Sequence, residues 1–250
     1  MARSWAFLSL TFSSLILAAL WVASLTALTP ARAGEAKMPC LSPKGHIIYT
    51  VTFGKRFTVG RATLLWEISQ GRYRLSNVTE ALGLASLFGD EIAQYSEGRV
   101  NASGLIPEKL RTVRDGEATD ENARLDWKQM ILHMDHDGGQ QHPLLPGTQD
   151  LSTFAFQLGC FPEAVLRQSF TMPIVTGKKY KSYRLKPQKT VTLELPIGRL
   201  HTLHLKARDT SSTTEVWLSP EKHWLPVKIR FTNKKGYVFE QAAKELVTES

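Results

Sequence analysis

Alternation of apolar and polar side chains with a period of two recurs along most of this chain. Residues 46–54 place four apolar side chains on one side, Ile47, Tyr49, Val51 and Phe53. This period is typical of a β-strand with one face in a core. Similar segments occur at 62–68, 72–79, 91–97, 110–114, 122–128, 130–136, 179–186, 190–195, 200–207, 215–218, 227–232 and 237–241.

Short strands separated by Gly, Pro, Asn and Asp turns predict a mainly β fold, an antiparallel curled sheet or open half-barrel with one or two short helices. Two segments break the alternation. Asp150 can cap a short helix that ends at Gly159, with Leu151, Phe154, Ala155 and Leu158 on one face. Residues 81–88 form an apolar run that suits neither a strand nor an exposed loop.

The N-terminus resembles a secretory signal peptide. Arg3 precedes a long apolar stretch, and Ala31 and Ala33 flank Arg32 in the small-x-small pattern that a signal peptidase cleaves. We therefore predict a signal peptide at residues 1–33 and one exported, periplasmic β domain at 34–250, with its core at about 40–248. An uncleaved membrane anchor is the alternative, because the apolar stretch is nearly long enough to span a bilayer. Membrane association of the mature domain is expected to be peripheral at most.

The chain has two cysteines, Cys40 and Cys160. In an oxidising compartment we expect them to form a structural disulfide, which by the chain-entropy estimate stabilises the fold by ~4–5 kcal/mol. A redox-active pair is disfavoured because the close C-x-x-C spacing is absent.

The formal net charge is +8. In the cell envelope the abundant anions are lipid phosphates and polyanionic glycans, so we expect no nucleic-acid partner. The basic run contains Lys179, Lys181, Arg184 and Lys186. It predicts either a site for an anionic headgroup or glycan, or an edge strand that lysines protect against edge-to-edge pairing.

One hairpin suggests a weak metal site. A two-residue Gly138-Gly139 turn would place Asp135 opposite His142, and alternation would bring His133 and Asp137 to that face. An exposed polar hairpin tip is the favoured interpretation, so we predict no metal and no cofactor. The G-x-S-x-G, H-E-x-x-H and Gly-rich phosphate motifs are also absent from the sequence, so we do not expect an enzyme.

Six motifs occur in matching order in a known family. They are 95–100 (YSEGRV), 104–107 (GLIP), 125–127 (LDW), 145–152 (LPGTQDLS), 216–220 (VWLSP) and 225–229 (LPVKI). Over about 46–245 the chain resembles the proteobacterial domain of unknown function 3108. That family is similar to periplasmic lipoprotein carriers of the LolA and LolB type, which implies a curled sheet that shelters acyl chains. The resemblance brings no catalytic residues, and the pair Cys40 and Cys160 departs from the family pattern.

The leading hypothesis is a non-catalytic periplasmic protein that binds a lipid or a lipoprotein acyl chain. Six apolar residues would line its groove if the sheet is half open, or fill a core if it is closed: Leu82, Leu84, Leu87, Phe88, Phe154 and Trp217. The alternatives are an interaction scaffold that docks an envelope protein and, third, a metal-dependent hydrolase at the 133–142 hairpin.

Overall fold

The computed structural model describes residues 40–54, 57–88, 91–209 and 212–249, with only the backbone at 84, 85 and 88. The predicted signal peptide lies outside these residues, and the predicted domain division remains a prediction. The strands are β1 Lys44–Phe53, β2 Phe57–Ser69, β3 Arg72–Ala81, β4 Glu91–Asn101, β5 Gly104–Arg114, β6 Glu117–Ala118, β7 Ala123–Asp126, β8 Ile131–Met134, β9 Gln140–Pro143, β10 Gln149–Asp150, β11 Phe170–Val175, β12 Tyr180–Pro187, β13 Val191–Leu195, β14 Gly198–Arg208, β15 Thr213–Ser219, β16 Leu225–Thr232 and β17 Val238–Glu249.

The helices are short. In the described part of the chain, two are α-helical, α1 Phe154–Gly159 and α2 Glu163–Leu166, and three are 3-10 helices, Gly83–Phe88, His136–Gly138 and Pro220–Lys222. Within the described residues, no helix combines the length and apolar character needed to cross a membrane.

The strands form one large sheet that is not closed into a barrel, as the sequence predicts. From one end to the other its main order is β9, β8, β7, β5, β4, β3, β2, β1, β17, β16, β15, β14, β12, β11 and β10. All these pairs are antiparallel except β10 with β11. The short strand β6 pairs with the end of β5, and β13 pairs with the first half of β14. The first and last strands, β1 and β17, therefore lie side by side in the middle.

The sheet curls so that its two ends share a core. Leu110, Leu125 and Leu132 from one end pack with Val175 from the other. The side chain of Gln149 also donates a hydrogen bond to the carbonyl oxygen of Leu105, at 3.0 Å. We call the face of the sheet that packs against α1 the inner face and the opposite one the outer face.

Helix α1 covers the middle of the inner face, and all six of its residues are buried. The ring of Phe156 contacts Trp66 edge-on at 5.3 Å between centroids. The predicted helix start was wrong: α1 begins after Thr153, while Asp150 belongs to β10 and Leu151 is exposed. The predicted disulfide is confirmed, because Cys40 is bonded to Cys160 across 120 residues and ties the end of α1 to the chain just before β1.

Candidate functional site

Four phenylalanines form a row across four neighbouring strands in the middle of the sheet, at one end of those strands. Phe57 of β2 lies opposite Phe53 of β1, which lies opposite Phe239 of β17, which lies opposite Phe231 of β16. Side chains directly opposite one another in antiparallel strands project from the same face. Phe53 follows the buried inner-face residues of β1 in strict alternation, so the row continues the inner face beyond the core.

The row is exposed although it lies on the core-facing side. Phe57 has 69 % of its surface exposed, and Phe231 and Phe239 have 41 % and 39 %. Tyr237 is also exposed, and its ring packs edge to face with that of Phe53, with 5.7 Å between the centroids. The centroid of the Phe239 ring lies 5.2 Å from that of Phe53. We call Phe53, Phe57, Phe231, Tyr237 and Phe239 the aromatic mouth. Exposed apolar patches of this kind mark interaction or ligand sites.

Two further features border the aromatic mouth. The 3-10 helix Gly83–Phe88 contacts β2 and β3, and the amide of Leu82 donates to the carbonyl oxygen of Val59, at 2.9 Å. Leu82 and Leu87 are exposed there. On the other side, the turn before Tyr237 carries exposed Lys234 and Lys235. The Asn233 side chain fixes that turn by accepting hydrogen bonds from the amides of Lys235 and Tyr237, at 2.9 and 3.0 Å.

The six residues predicted to line a groove are not all brought together. Leu82 and Leu87 lie beside the aromatic mouth, and the side chains of Leu84 and Phe88 lie outside the described residues. Phe154 packs with Val216 and Leu218 in the core under α1. Trp217 is also almost completely buried and belongs to the core cluster of Trp66 and Phe156. Its side chain projects from the other side of β15 than those of Val216 and Leu218, and its ring stacks on His204 at 4.2 Å and is flanked by Lys228 and Arg230.

A buried polar cluster explains the 145–152 motif. The Asp150 carboxylate accepts hydrogen bonds from the amides of Ser152 and Thr153, both at 2.9 Å, and from the hydroxyl of Ser96. The Ser96 hydroxyl also bonds the Tyr73 hydroxyl, at 2.9 Å. Burial raises the pKa of Asp150 and also that of Tyr73. Since Asp150, Ser96 and Tyr73 are all buried, this cluster joins β3 and β4 to the start of α1 and is not open to a ligand.

The 133–142 hairpin has a different register from the predicted one. His142 lies opposite Leu132 and His133 lies opposite Gln141, so the two histidines face opposite sides. A 3-10 helix replaces the two-residue turn, and the Asp135 carboxylate accepts a hydrogen bond from Asn122 instead. Asp137 has a left-handed backbone with φ of 54°. The described part of the chain holds no group of three or more His, Cys, Asp or Glu side chains that could bind a metal.

The predicted basic strand is β12. Lys181 forms an ion pair with Asp209 at 3.2 Å, and Lys179, Arg184 and Lys186 are exposed. Strand alternation divides Lys181 from Arg184 and Lys186, so the basic side chains point to both faces of the sheet. In the described pairings, residues 180–184 have a neighbouring strand on one side only, because β14 pairs β12 from Leu185 onwards. This geometry is that of a partly open edge with lysines along it.

Sequence reasoning did not find the aromatic mouth. Alternation placed Phe53 with the apolar side chains of its strand, but its neighbours come from the far end of the chain. Only the pairing of β1 with β17 brings Phe239 beside it. The sequence does contain one indication of it: in several strands, the last side chain on the core-facing side is apolar.

The comparison with solved structures shows the fold alone. A β-barrel-like protein of domain of unknown function DUF1849 from Brucella abortus is 11 % identical, with a TM-score of 0.53 over 84 % of this chain and 100 % of that one. A protein with a YmcC-like fold from Bacteroides fragilis is 9 % identical, with a TM-score of 0.32 over 83 % of this chain and 97 % of that one. No curated protein matches this sequence.

The family resemblance is confirmed. The model of one family, described as Protein of unknown function (DUF3108), matches residues 48–241, which span the sheet from β1 to β17 and include α1. This chain belongs to that family.

Proposed function

We propose that this chain is an exported, non-catalytic protein that binds an amphipathic component of the cell envelope, a lipid or a lipoprotein acyl chain. The acyl chain would lie against the aromatic mouth. One observation carries the proposal: inner-face phenylalanines that continue the core are left exposed where α1 does not reach.

The energetic argument follows from area. Complete burial of a phenylalanine side chain contributes ~1.5–3 kcal/mol, so the exposed parts of Phe57, Phe231 and Phe239 represent an unused driving force for association. The row crosses four strands, and at about 4.8 Å between strands it is about 14 Å long. That length suits a single acyl chain or a short stretch of one lying across the strands.

The residues that border the mouth could bind the polar headgroup of such a ligand. Lys234 and Lys235 are exposed beside Tyr237, and ammonium groups attract the anionic headgroups of envelope lipids. The aromatic side chains themselves supply contact area, and tyrosine suits the boundary between an apolar and a wet region. Apart from the Tyr237 phenol, the mouth residues contain no group that transfers protons or attacks a substrate, which supports binding over catalysis.

The test is native mass spectrometry of the protein purified gently after expression of the full 250-residue chain, with lipid analysis of an organic extract. We expect an added mass that matches an extracted lipid. Phe57→Ser and Phe239→Ser should each reduce the bound fraction about tenfold, since loss of one buried aromatic contact is worth ~1.4 kcal/mol or more.

Val247→Ser is the matched control. Val247 lies on the same strand as Phe239 with nearly the same exposure, 42 % against 39 %, but eight residues away. It should retain the adduct. A wild-type protein that carries no lipid, or a loss that is equal in all three variants, would contradict the proposal and favour docking of an envelope protein.

A further inference from the structure

A second depression lies on the outer face, at the ends of β1 and β2 that are farthest from the aromatic mouth, and extends over β3, β4 and β5. It has a volume of about 510 Å³, and its floor is formed by neighbouring residues of β1, β2, β3 and β4. A volume of this size is in the usual range for small-molecule sites. We call this depression the outer groove.

Two cross-strand rows of side chains form the walls of the outer groove. The first is charged, with Lys44, Glu67, Arg74, Glu97 and Lys109 directly opposite one another in turn. Opposite charges in neighbouring strands normally form ion pairs, but some of the charged groups in this row are too far apart to do so closely. Lys109 is 4.0 Å from Glu97, and among the described residues Arg74 forms no ion pair.

The second row is mixed. Leu65, Ser76, Tyr95 and Arg111 follow one another across β2 to β5. The Arg111 guanidinium lies over the Tyr95 ring, 4.4 Å from its centroid. Arg111 forms no ion pair with any described carboxylate. Its guanidinium is positioned by the Tyr95 ring, and its positive charge remains available to a ligand. Leu65 and Tyr95 are exposed beside it.

The charges are therefore unequal along the outer groove. The lining residues of β3, β4 and β5 include three cationic side chains, Arg74, Lys109 and Arg111, and one carboxylate, Glu97, while Glu67 of β2 lies directly opposite Arg74. Guanidinium groups present several N–H donors in a plane that matches the oxygens of a phosphate. Stacking on Tyr95 already restricts Arg111, which reduces the entropy lost when it binds.

We propose that the part of the outer groove formed by β3, β4 and β5 binds a phosphate group. Arg74 and Arg111 donate hydrogen bonds to the phosphate oxygens, Lys109 adds a third positive charge, and Ser76 of the second row offers a hydroxyl. Leu65 and Tyr95 contact the organic part of the ligand. The shared chemistry is an anionic phosphate ester, whether in a lipid headgroup or in a free molecule.

This site is independent of the aromatic mouth. It lies on the opposite face, and the ends of β1 that border the two sites, Lys44 and Phe53, are about 30 Å apart at ~3.3 Å per residue. Either proposal can fail while the other stands.

The first experiment titrates the full chain with inorganic phosphate and then with glycerol 3-phosphate, followed by the backbone N–H signals of Tyr95 and Arg111 in NMR spectra. Saturable shifts at these residues are expected. The double variant Arg74→Gln/Arg111→Gln should raise the dissociation constant by at least about tenfold, because each lost charge-assisted hydrogen bond is worth ~1.5–3 kcal/mol.

The charge-matched control is Arg61→Gln/Arg167→Gln. Both arginines are already paired, Arg61 with Glu80 and Arg167 with Glu163, and neither lines the outer groove. The control should bind phosphate as the wild type does. The absence of saturable shifts in the wild type, or an equal loss in both double variants, would overturn the proposal.

A second experiment identifies the source of the phosphate. The chain is sedimented with vesicles of phosphatidylglycerol and, separately, of phosphatidylcholine. If phosphate binds and Arg74→Gln/Arg111→Gln abolishes vesicle binding, the ligand is a lipid headgroup. If phosphate binds and the vesicles do not, the ligand is a free phosphate ester. Vesicle binding that Phe57→Ser abolishes while phosphate fails to bind would reject the outer groove and support the aromatic mouth.

Discussion

The covered and uncovered parts of the inner face are built from the same kinds of residue and differ in what lies over them. Under α1, Trp66 and Phe156 pack edge to face and are almost completely buried. At the aromatic mouth, Phe53 and Phe239 are also in ring contact, yet Phe239 and Phe57 remain exposed. The difference shows that the strand pattern supplies apolar side chains along the whole face, while a six-residue helix covers only its middle.

The two regions should differ in how much a substitution changes the free energy of unfolding. Substitutions under α1 should cost stability because they leave cavities, whereas substitutions at the mouth should cost little stability and affect binding instead.

Phe156→Ala should produce the largest loss of stability. The ring is buried between α1 and Trp66, so its removal leaves a cavity and should lower the free energy of unfolding by ~3–5 kcal/mol. Urea denaturation followed by tryptophan fluorescence measures this value, and Phe57→Ala serves as the comparison. Equal losses in the two variants would mean that the mouth is also part of the core.

Removal of the disulfide should loosen the helix that covers the inner face. Cys40→Ser/Cys160→Ser should lower the free energy of unfolding by ~2–5 kcal/mol. Cys160 directly follows α1, so hydrogen exchange should accelerate in α1 more than in β1 and β17. Faster exchange that is uniform across the sheet would contradict a local role of the disulfide in holding α1.

Ser96→Ala should have an intermediate effect. It removes the hydroxyl that joins Asp150 to Tyr73 and leaves a buried acceptor without its donor, which costs ~1–3 kcal/mol. Ser86→Ala is the matched change beside the mouth, where the hydroxyl donates to the carbonyl oxygen of Gly83 in its own 3-10 helix. The difference between their urea midpoints is the measurement, and a larger loss for Ser86→Ala would reverse the comparison.

The buried carboxyl of Asp150 also predicts a pH dependence. Burial raises its pKa above the ordinary 3.8, so between these two values the native state holds more protons than the unfolded state. The stability from this group is complete below 3.8 and is lost as the pH rises through the native pKa. Asp150→Asn should remove this component, and urea midpoints across acidic and neutral pH test the change in slope. A slope as steep in Asp150→Asn as in the wild type would assign the pH dependence to other groups.

Much of the sheet could be predicted because alternation is local. The predicted segment 200–207 lies within β14, and 72–79 lies within β3. Strand β11 was missed because Pro173 interrupts its apolar run, and proline within a run argues against a paired strand. In the structure, Pro173 lies opposite Ser182 of β12.

The site was harder to predict because it depends on pairings between distant segments. The aromatic mouth requires the adjacency of β1 and β17 and the register shifts that put Phe57 and Phe239 opposite Phe53. Each shift moves a side chain to the other face, so counting residues from either strand alone gives the wrong face. The same limit applied to the 133–142 hairpin, where a longer turn changed which residues are opposite.

The smallest effect on stability is expected at the mouth itself. Phe57→Ser should change the free energy of unfolding by about 0.5 kcal/mol or less, because the side chain is 69 % exposed. Binding should behave differently, since a ligand that binds only the native state stabilises it by about 1.4 kcal/mol at ten times its Kd. Lauric acid below its micelle concentration should therefore raise the urea midpoint of the wild type and of Val247→Ser, and that of Phe57→Ser much less, because tenfold weaker binding leaves about 0.4 kcal/mol of stabilisation at the same concentration. Equal stabilisation of all three proteins would place the fatty acid elsewhere and leave the exposed phenylalanines without a ligand of this class.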